Sequence, residues 1–271
     1  MTEASRLSPV RRVLGPGQTG APTARFWSSA VLILLALGAL LVAWQFLPGA
    51  FGLPSYVFPS LTEVVSAFRG DESELISALW TTLTEATTGV VIGVAVGLFL
   101  GAVAYYVGPL RRGLLSVLLV LNSTPQIGLA PVAVLFLGSG LESKIVLIAF
   151  VTSFTLLLYT LQGLDLVPKE EERLLQSFGS TELRIFAKLR FRRALPTIMA
   201  GVRYASSQAI ILAIVVEIFS SNGGIGHVIL VQTSLAGYQV MWAAALEGAV
   251  AGLALFGLAS LLEKRLTWWV G

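Results

Sequence analysis

The stretch PKEEERLLQSFGSTELRIFAKLRFRRALPT, Pro168–Thr197, lies between two apolar runs, 144–167 and 198–220, each long enough to cross a bilayer. It carries seven basic and four acidic side chains. A link between two spans needs only a few residues, so this one has a task of its own. Its spacing predicts two short helices around Gly179. Residues 169–178 put Leu174, Leu175 and Phe178 on one face. Ser180 or Thr181 then caps a second helix carrying Leu183, Phe186 and Leu189, which is expected to end before Pro196. A helix–glycine–helix with an exposed apolar face points to docking on a cytoplasmic protein. The other reading is an amphipathic hairpin lying on the inner leaflet.

The rest of the chain explains why such a segment stands out. Of 271 residues, 55% are hydrophobic and 12% charged, half the charge of an ordinary soluble domain. Mean hydropathy is +0.82. That excludes a typical cytosolic enzyme, a disordered chain and a nucleic-acid binder. There is no cysteine, so disulfides, thiolate metal sites and cysteine nucleophiles are excluded. One histidine, His227, leaves little for a His-based metal or triad site. The fold class is all-α: a polytopic membrane protein with six transmembrane helices, at 28–47, 79–107, 114–137, 144–167, 198–220 and 240–262. Residues 1–27 read as a disordered leader without a cleavage site. Residues 48–78 form an outer loop and 79–265 the core.

Orientation follows from charge. With the N-terminus cytoplasmic, sixteen of the eighteen Lys and Arg residues fall inside, and only Arg69 and Lys144 outside. Both termini are then cytoplasmic. In the outer loop, Thr62–Phe68 reads as a short interfacial helix, with Ser60 and Glu63 forming a capping box. A second short helix is expected after the turn signal Ser220-Ser221-Asn222-Gly223-Gly224.

Several polar or small residues lie inside the spans. Gly89, Gly93, Gly97 and Gly101 recur every fourth residue and make a helix face for close approach, either to another subunit or within this one. The third span is interrupted by Asn122-Ser123-Thr124-Pro125-Gln126-Ile127-Gly128 and Pro131, so it should kink or break. Asn122 and Gln126 either line a pathway there or accompany a kink needed only for packing. Glu85 and Glu217 fall well inside spans, with Gln208 in the cytoplasmic half of the fifth span and Glu247 in the outer half of the sixth. Intramembrane carboxylates face a cavity or a partner. Glu85, Asn122, Gln126, Gln208 and Glu217 are therefore the candidate pathway residues. No Lys, Arg or His is expected deep enough to complete a proton relay with the acids.

Leu174-Leu175-Gln176-Ser177-Phe178-Gly179-Ser180-Thr181, followed by Ala194-Leu195-Pro196 and Gly201-Val202-Arg203, resembles the EAA loop of ABC importer permeases, most closely the nitrate, sulfonate and taurine branch. Phe58-Pro59-Ser60-Leu61-Thr62-Glu63-Val64 is similar to that branch's outer LPSPxEV segment. Pro125 through Pro131, Phe136-Leu137-Gly138, and Val216-Glu217 through Gly223-Gly224-Ile225-Gly226 also fit in order, covering roughly residues 50–262. The resemblance implies a type I importer permease fold of five core helices plus an N-terminal helix, in a bacterial inner membrane. It implies a second permease copy, identical or not, two cytoplasmic ATPase subunits and an extracytoplasmic binding protein. It also implies that Leu174, Leu175, Phe178, Gly179, Ser180 and Thr181 carry coupling to the ATPase. Two departures stand out. Arg173-Leu174-Leu175 occupies the place of Glu-Ala-Ala, and Phe191-Arg192 that of Leu-Pro. They fit a divergent subfamily, or one half of a heterodimeric permease.

No cofactor is expected in this chain, and it is not expected to be an enzyme. A phosphate-binding loop of the Walker A type needs Gly-Lys-Ser/Thr, whereas the four lysines follow Ser143, Pro168, Ala187 and Glu263. ATP and Mg belong on the partner. The leading expectation is a permease subunit moving a small polar solute by alternating access. The alternative is a proton-coupled secondary transporter using an intramembrane glutamate.

Overall fold

The computed structural model describes residues 22–123, 128–220 and 223–270. All regular structure among them is helical. α1 (Pro22–Ala50) begins with proline at its first helical position, where the missing N–H costs nothing. It therefore takes in residues 22–27, which the sequence assigned to the leader. The rest of that leader lies outside the described residues. After α1, the loop folds back so that Trp44 stacks on Phe58 and meets Trp242 edge-on, while its Nε1 donates to the Pro59 carbonyl at 3.0 Å. α2 (Leu61–Gly70) starts with the expected capping box: the Ser60 N–H donates to Glu63 Oε2 at 2.7 Å, and the Ser60 hydroxyl accepts from the Glu63 N–H.

The spanning helices follow. α3 (Glu72–Tyr106) lies along α6 (Leu141–Asp165). Successive α3 glycines face successive α6 residues, Gly89 at Ile148, Gly93 at Thr152, Gly97 at Leu156 and Gly101 at Thr160, so the two helices run parallel. A Cβ on Gly89, Gly93 or Gly101 would lie 2.5–2.7 Å from the Cβ opposite. On Gly97 it would also run into the Ser153 carbonyl oxygen. Two adjacent parallel helices require the chain between them to cross back. That return is made by α4 (Gly108–Ser123) and α5 (Leu129–Leu137).

Among the described residues, five helices are individually long and apolar enough to span: Val31–Ala50, Glu72–Tyr106, Leu141–Asp165, Glu182–Ser220 and Tyr238–Leu266. The third expected span, 114–137, is not one helix but two, separated where proline was expected to interrupt it. Pro125 itself and residues 124–127 lie outside the described residues.

α7 (Lys169–Ser177) and α8 (Glu182–Ile185) form the helix–turn–helix. Contrary to expectation, the second helix does not stop before Pro196. It passes through a wide π-helical turn, Phe186–Arg190, into α9 (Phe191–Ser220), with Pro196 inside. Packing on both sides of the proline overrides its breaking tendency. Ala194 sits against Gly163, and Gly201 against Tyr159, which also makes α9 antiparallel to α6. α10 (Ile225–Ser234) is the short helix expected after the glycine turn. α11 (Tyr238–Leu266) returns antiparallel to α9, with Gly248 facing Ile214 and Arg203 bonded to Glu263 at 2.8 Å, before a short 3₁₀ turn at Trp268–Val270.

Candidate functional site

At the end of the bundle where α3 and α6 finish, α7 and α8 project as a compact unit. Gly179 adopts φ +72°, a left-handed conformation open to glycine, and the turn closes by Gly179 N–H to Gln176 O at 2.9 Å and Ser180 N–H to Leu175 O at 3.1 Å. Thr181, not Ser180, is the N-cap residue of α8, although its hydroxyl makes no capping bond. Leu174, Phe178 and Leu183 are 57%, 76% and 78% exposed around this turn, while Leu175 is half-buried. Ile185 is buried and roots the unit.

What fixes the unit is a residue the sequence did not single out. Arg190, only 6% exposed, donates to both Glu172 oxygens (Nε 2.6 Å, Nη2 3.1 Å), to Glu182 at 3.0 Å and to the Tyr106 hydroxyl at 2.7 Å. Its guanidinium also stacks on the rings of Tyr105 and Tyr106. α7, α8 and the end of α3 thus converge on one cation. These hydrogen bonds hold the Glu172 carboxyl below its usual range. Beside it Arg173, in the position where the resemblance calls for glutamate, is exposed, as is Arg192. The nearest sequence clue to Arg190 was a Tyr pair ending a span 84 residues away, which no local pattern connects to it.

Glu85 and Glu217, the candidate pathway acids, do not line the cavity described below. Both are fully buried in helix packing near the α2/α10 end. Glu85 Oε1 accepts from Lys144 Nζ at 2.7 Å across the α3–α6 contact, and its other oxygen has no hydrogen-bond partner. A basic residue does therefore reach one of these acids. Lys144 is 1% exposed, because it belongs to α6 and the side of that helix's first turn carrying Ser143 and Lys144 packs into the bundle, while Leu141 is exposed. Glu217 Oε1 accepts from the Thr82 hydroxyl and Oε2 from the Gly226 N–H, both at 2.7 Å. It thereby satisfies a free donor at the start of α10. Thr82 in turn accepts from the Ile225 N–H at 3.0 Å. A Cβ on Gly224, which has φ +90°, would strike the Glu217 carboxylate. The Gly223-Gly224-Ile225-Gly226 stretch is thus a backbone wrap around one side chain.

A separate cavity of about 240 Å³ lies beside the α4–α5 break, lined among others by Leu121, Leu129, Phe154, Thr155, Tyr159 and Tyr204. Leu121 and Leu129 flank the break on either side. Half-buried Gln208 stands one turn along α9, with Nε2 3.4 Å from the Tyr204 hydroxyl. Gln126 lies outside the described residues, as does the side chain of Asn122. The structure therefore places Gln208 near the cavity, while Glu85 and Glu217 belong to a different place.

Parallel and antiparallel helices long and apolar enough to span, with an apolar-tipped helical turn at one end, define an all-helical membrane-protein fold. The chain belongs to the family of binding-protein-dependent transport system inner membrane components, whose profile matches residues 89–268. It is similar to a protein named as an ABC transporter permease of Haemophilus influenzae, with 30% identity covering 87% of this chain and 96% of the relative. It is also similar to the riboflavin transport system permease of Chloroflexus aurantiacus, at 28% identity over 90% and 92% of the two chains. The taurine transport system permease of Escherichia coli is 24% identical over 90% and 93%. An inward-facing structure of the MetNI methionine ABC transporter matches in fold, with a TM-score of 0.63 at 17% identity over 72% of this chain and 97% of that one. The chain is an ABC importer permease subunit.

Proposed function

We propose that this chain forms the translocation path for a small solute and that its α7–α8 turn receives the motion of a cytoplasmic ABC ATPase. The carrying observation is the tip itself: Leu174, Phe178 and Leu183 hold apolar side chains in water on a unit locked by Arg190. Apolar surface kept outside the core of a rigid element is what a groove on a partner binds. Leu175, Gly179, Ser180 and Thr181 shape that tip. ATP and Mg act on the ATPase, an extracytoplasmic binding protein delivers solute, and a second permease copy, identical or not, completes the path. ATP-driven closure on the cytoplasmic side opens the cavity outward and hydrolysis resets it. Both chain ends then lie in the cytoplasm of a bacterial cell.

For the path we propose the face around the α4–α5 break, with Asn122, Gln126 and Gln208 as its polar groups. No charged side chain stands among the cavity's described lining residues, which suits an uncharged or ring-bearing solute better than a sulfonate. A proton-coupled mechanism is less well supported, since Glu85 and Glu217 already have structural duties in the bundle.

The test replaces Leu174 and Phe178 together by Asp. Both are exposed, so the permease is expected to fold and insert normally. It should lose co-purification with its ATPase and transport-coupled ATP hydrolysis. An unchanged complex with unchanged coupled hydrolysis refutes the assignment. Uptake that collapses with an uncoupler while ATP is held constant favours the proton mechanism.

A further inference from the structure

The structure assigns a second binding site to this chain: a basic cleft that takes the phosphate headgroup of an anionic phospholipid. The cleft has a volume of about 390 Å³ and is lined by Lys188, Leu189, Arg192, Arg193, Pro196 and Trp269. It lies where α9 begins and α11 has just ended, the level at which both helices leave the apolar part of the bundle.

Three observations point to a lipid rather than to another occupant. The first is charge. Among the described lining residues three are cations and none is acidic. Arg193 is bonded to Glu171 of α7 at 2.7 Å, a pair that is largely solvent-exposed on the arginine side. Lys188 and Arg192 are exposed and have no carboxylate partner among the described residues. Two cations held a turn apart on one helical run, with a third beside them, suit a group with several acceptor oxygens.

The second is the aromatic pair Trp268 and Trp269, 77% and 45% exposed. Tryptophan in that setting marks the boundary between hydrocarbon and water, because the ring is apolar and its N–H seeks a polar partner. The third is the approach. Leu258, Leu262 and Leu266 run down α11 towards the cleft at four-residue spacing and are 62%, 51% and 41% exposed, a stripe for acyl chains below a headgroup. Basic pockets between spanning helices at this depth are the recurrent form of anionic headgroup sites.

The site does not depend on the coupling role proposed above. It needs only that α9 and α11 span a membrane.

The experiment uses the assembled transporter in phosphatidylcholine nanodiscs containing a minor fraction of phosphatidylglycerol, with bound lipid counted by native mass spectrometry. Phosphatidylglycerol should be retained in preference to phosphatidylcholine. The Lys188→Ser/Arg192→Ser variant should bind it about 30-fold more weakly, since each cation near the surface contributes about 1 kcal/mol. Arg173→Ser/Arg184→Ser, which removes the same charge from the exposed helical turn, should retain it. So should Lys188→Arg/Arg192→Lys, which also guards against a folding defect. Equal loss in the Arg173/Arg184 variant would reduce the effect to net charge and overturn the site. Displacement of the lipid by millimolar inorganic phosphate would overturn the lipid assignment in favour of a soluble anion. The same spectra report ATPase association. In the unmutated transporter, loss of the ATPase with lipid retained counts against the coupling role alone, and loss of the lipid preference with the ATPase retained counts against the cleft alone.

Discussion

Replacing Lys144 by Met removes the cation that meets Glu85 at 2.7 Å between α3 and α6, where both side chains are essentially inaccessible to water. Glu85 already lacks a partner for its second oxygen, so the variant leaves a buried carboxylate without its main compensation. Breaking a buried pair from one side costs about 3–5 kcal/mol, far more than the pair contributes over an apolar replacement. For a chain of this size that corresponds to a fall in melting temperature of roughly 6–20 °C. Glu85→Leu removes the carboxylate that accepts from Lys144 and should cost a similar amount. The double variant Glu85→Leu/Lys144→Met removes both charges and fills the space with hydrocarbon. It should recover most of the loss, giving a coupling energy of about 2 kcal/mol or more. Thermal unfolding of the four proteins in one mild detergent, followed by helical circular dichroism, measures the cycle. A double variant whose loss equals the sum of the singles within about 0.5 kcal/mol would refute the claim that these groups stabilise each other.

The glycine stripe gives a sharper contrast. Gly97→Ala drives a methyl into the Ser153 carbonyl and should destabilise by about 1–3 kcal/mol. Gly113→Ala, in α4 with nothing within 4 Å of the new methyl, should be neutral or stabilise by about 0.5–1 kcal/mol. Melting temperatures that move together would refute the close-contact reading. Glu172 supplies a pH test. Arg190 holds its carboxyl below the usual range, so the folded state binds fewer protons there than the unfolded state. The stabilisation is complete above the unfolded value of about 4.3 and disappears as pH falls through the lower folded value. Amide-exchange protection of α7, corrected for intrinsic rates, should be flat down to about pH 5 and fall only in stronger acid. Glu172→Gln should lack that acid step.

Local chemistry was legible in the sequence and long-range pairing was not. Ser60 and Glu63 announced their capping box because both partners sit in one turn. The short helix after the glycine turn was likewise readable from neighbours. Lys144 was counted with the outer loop because it stands at the edge of an apolar run, and nothing nearby shows that α6 starts inside the bundle against Glu85, 59 residues earlier. The fixing of Glu217 was hidden for the same reason. Its donors, the Thr82 hydroxyl and the Gly226 N–H, come from two other segments. Pro196 misled in the other direction, since its local tendency to end a helix was overridden by the contacts of Ala194 and Gly201 with α6.

The convergence of α7, α8 and Tyr106 on Arg190 has a mechanical consequence. A guanidinium is flat, and its donors radiate in a single plane, so three chain segments are pinned at one point rather than along a seam. Such an attachment behaves as a pivot. The projecting turn can swing about it, but it cannot be drawn away from α3 without losing the Tyr106 hydrogen bond and the stacking of the guanidinium on Tyr105 and Tyr106.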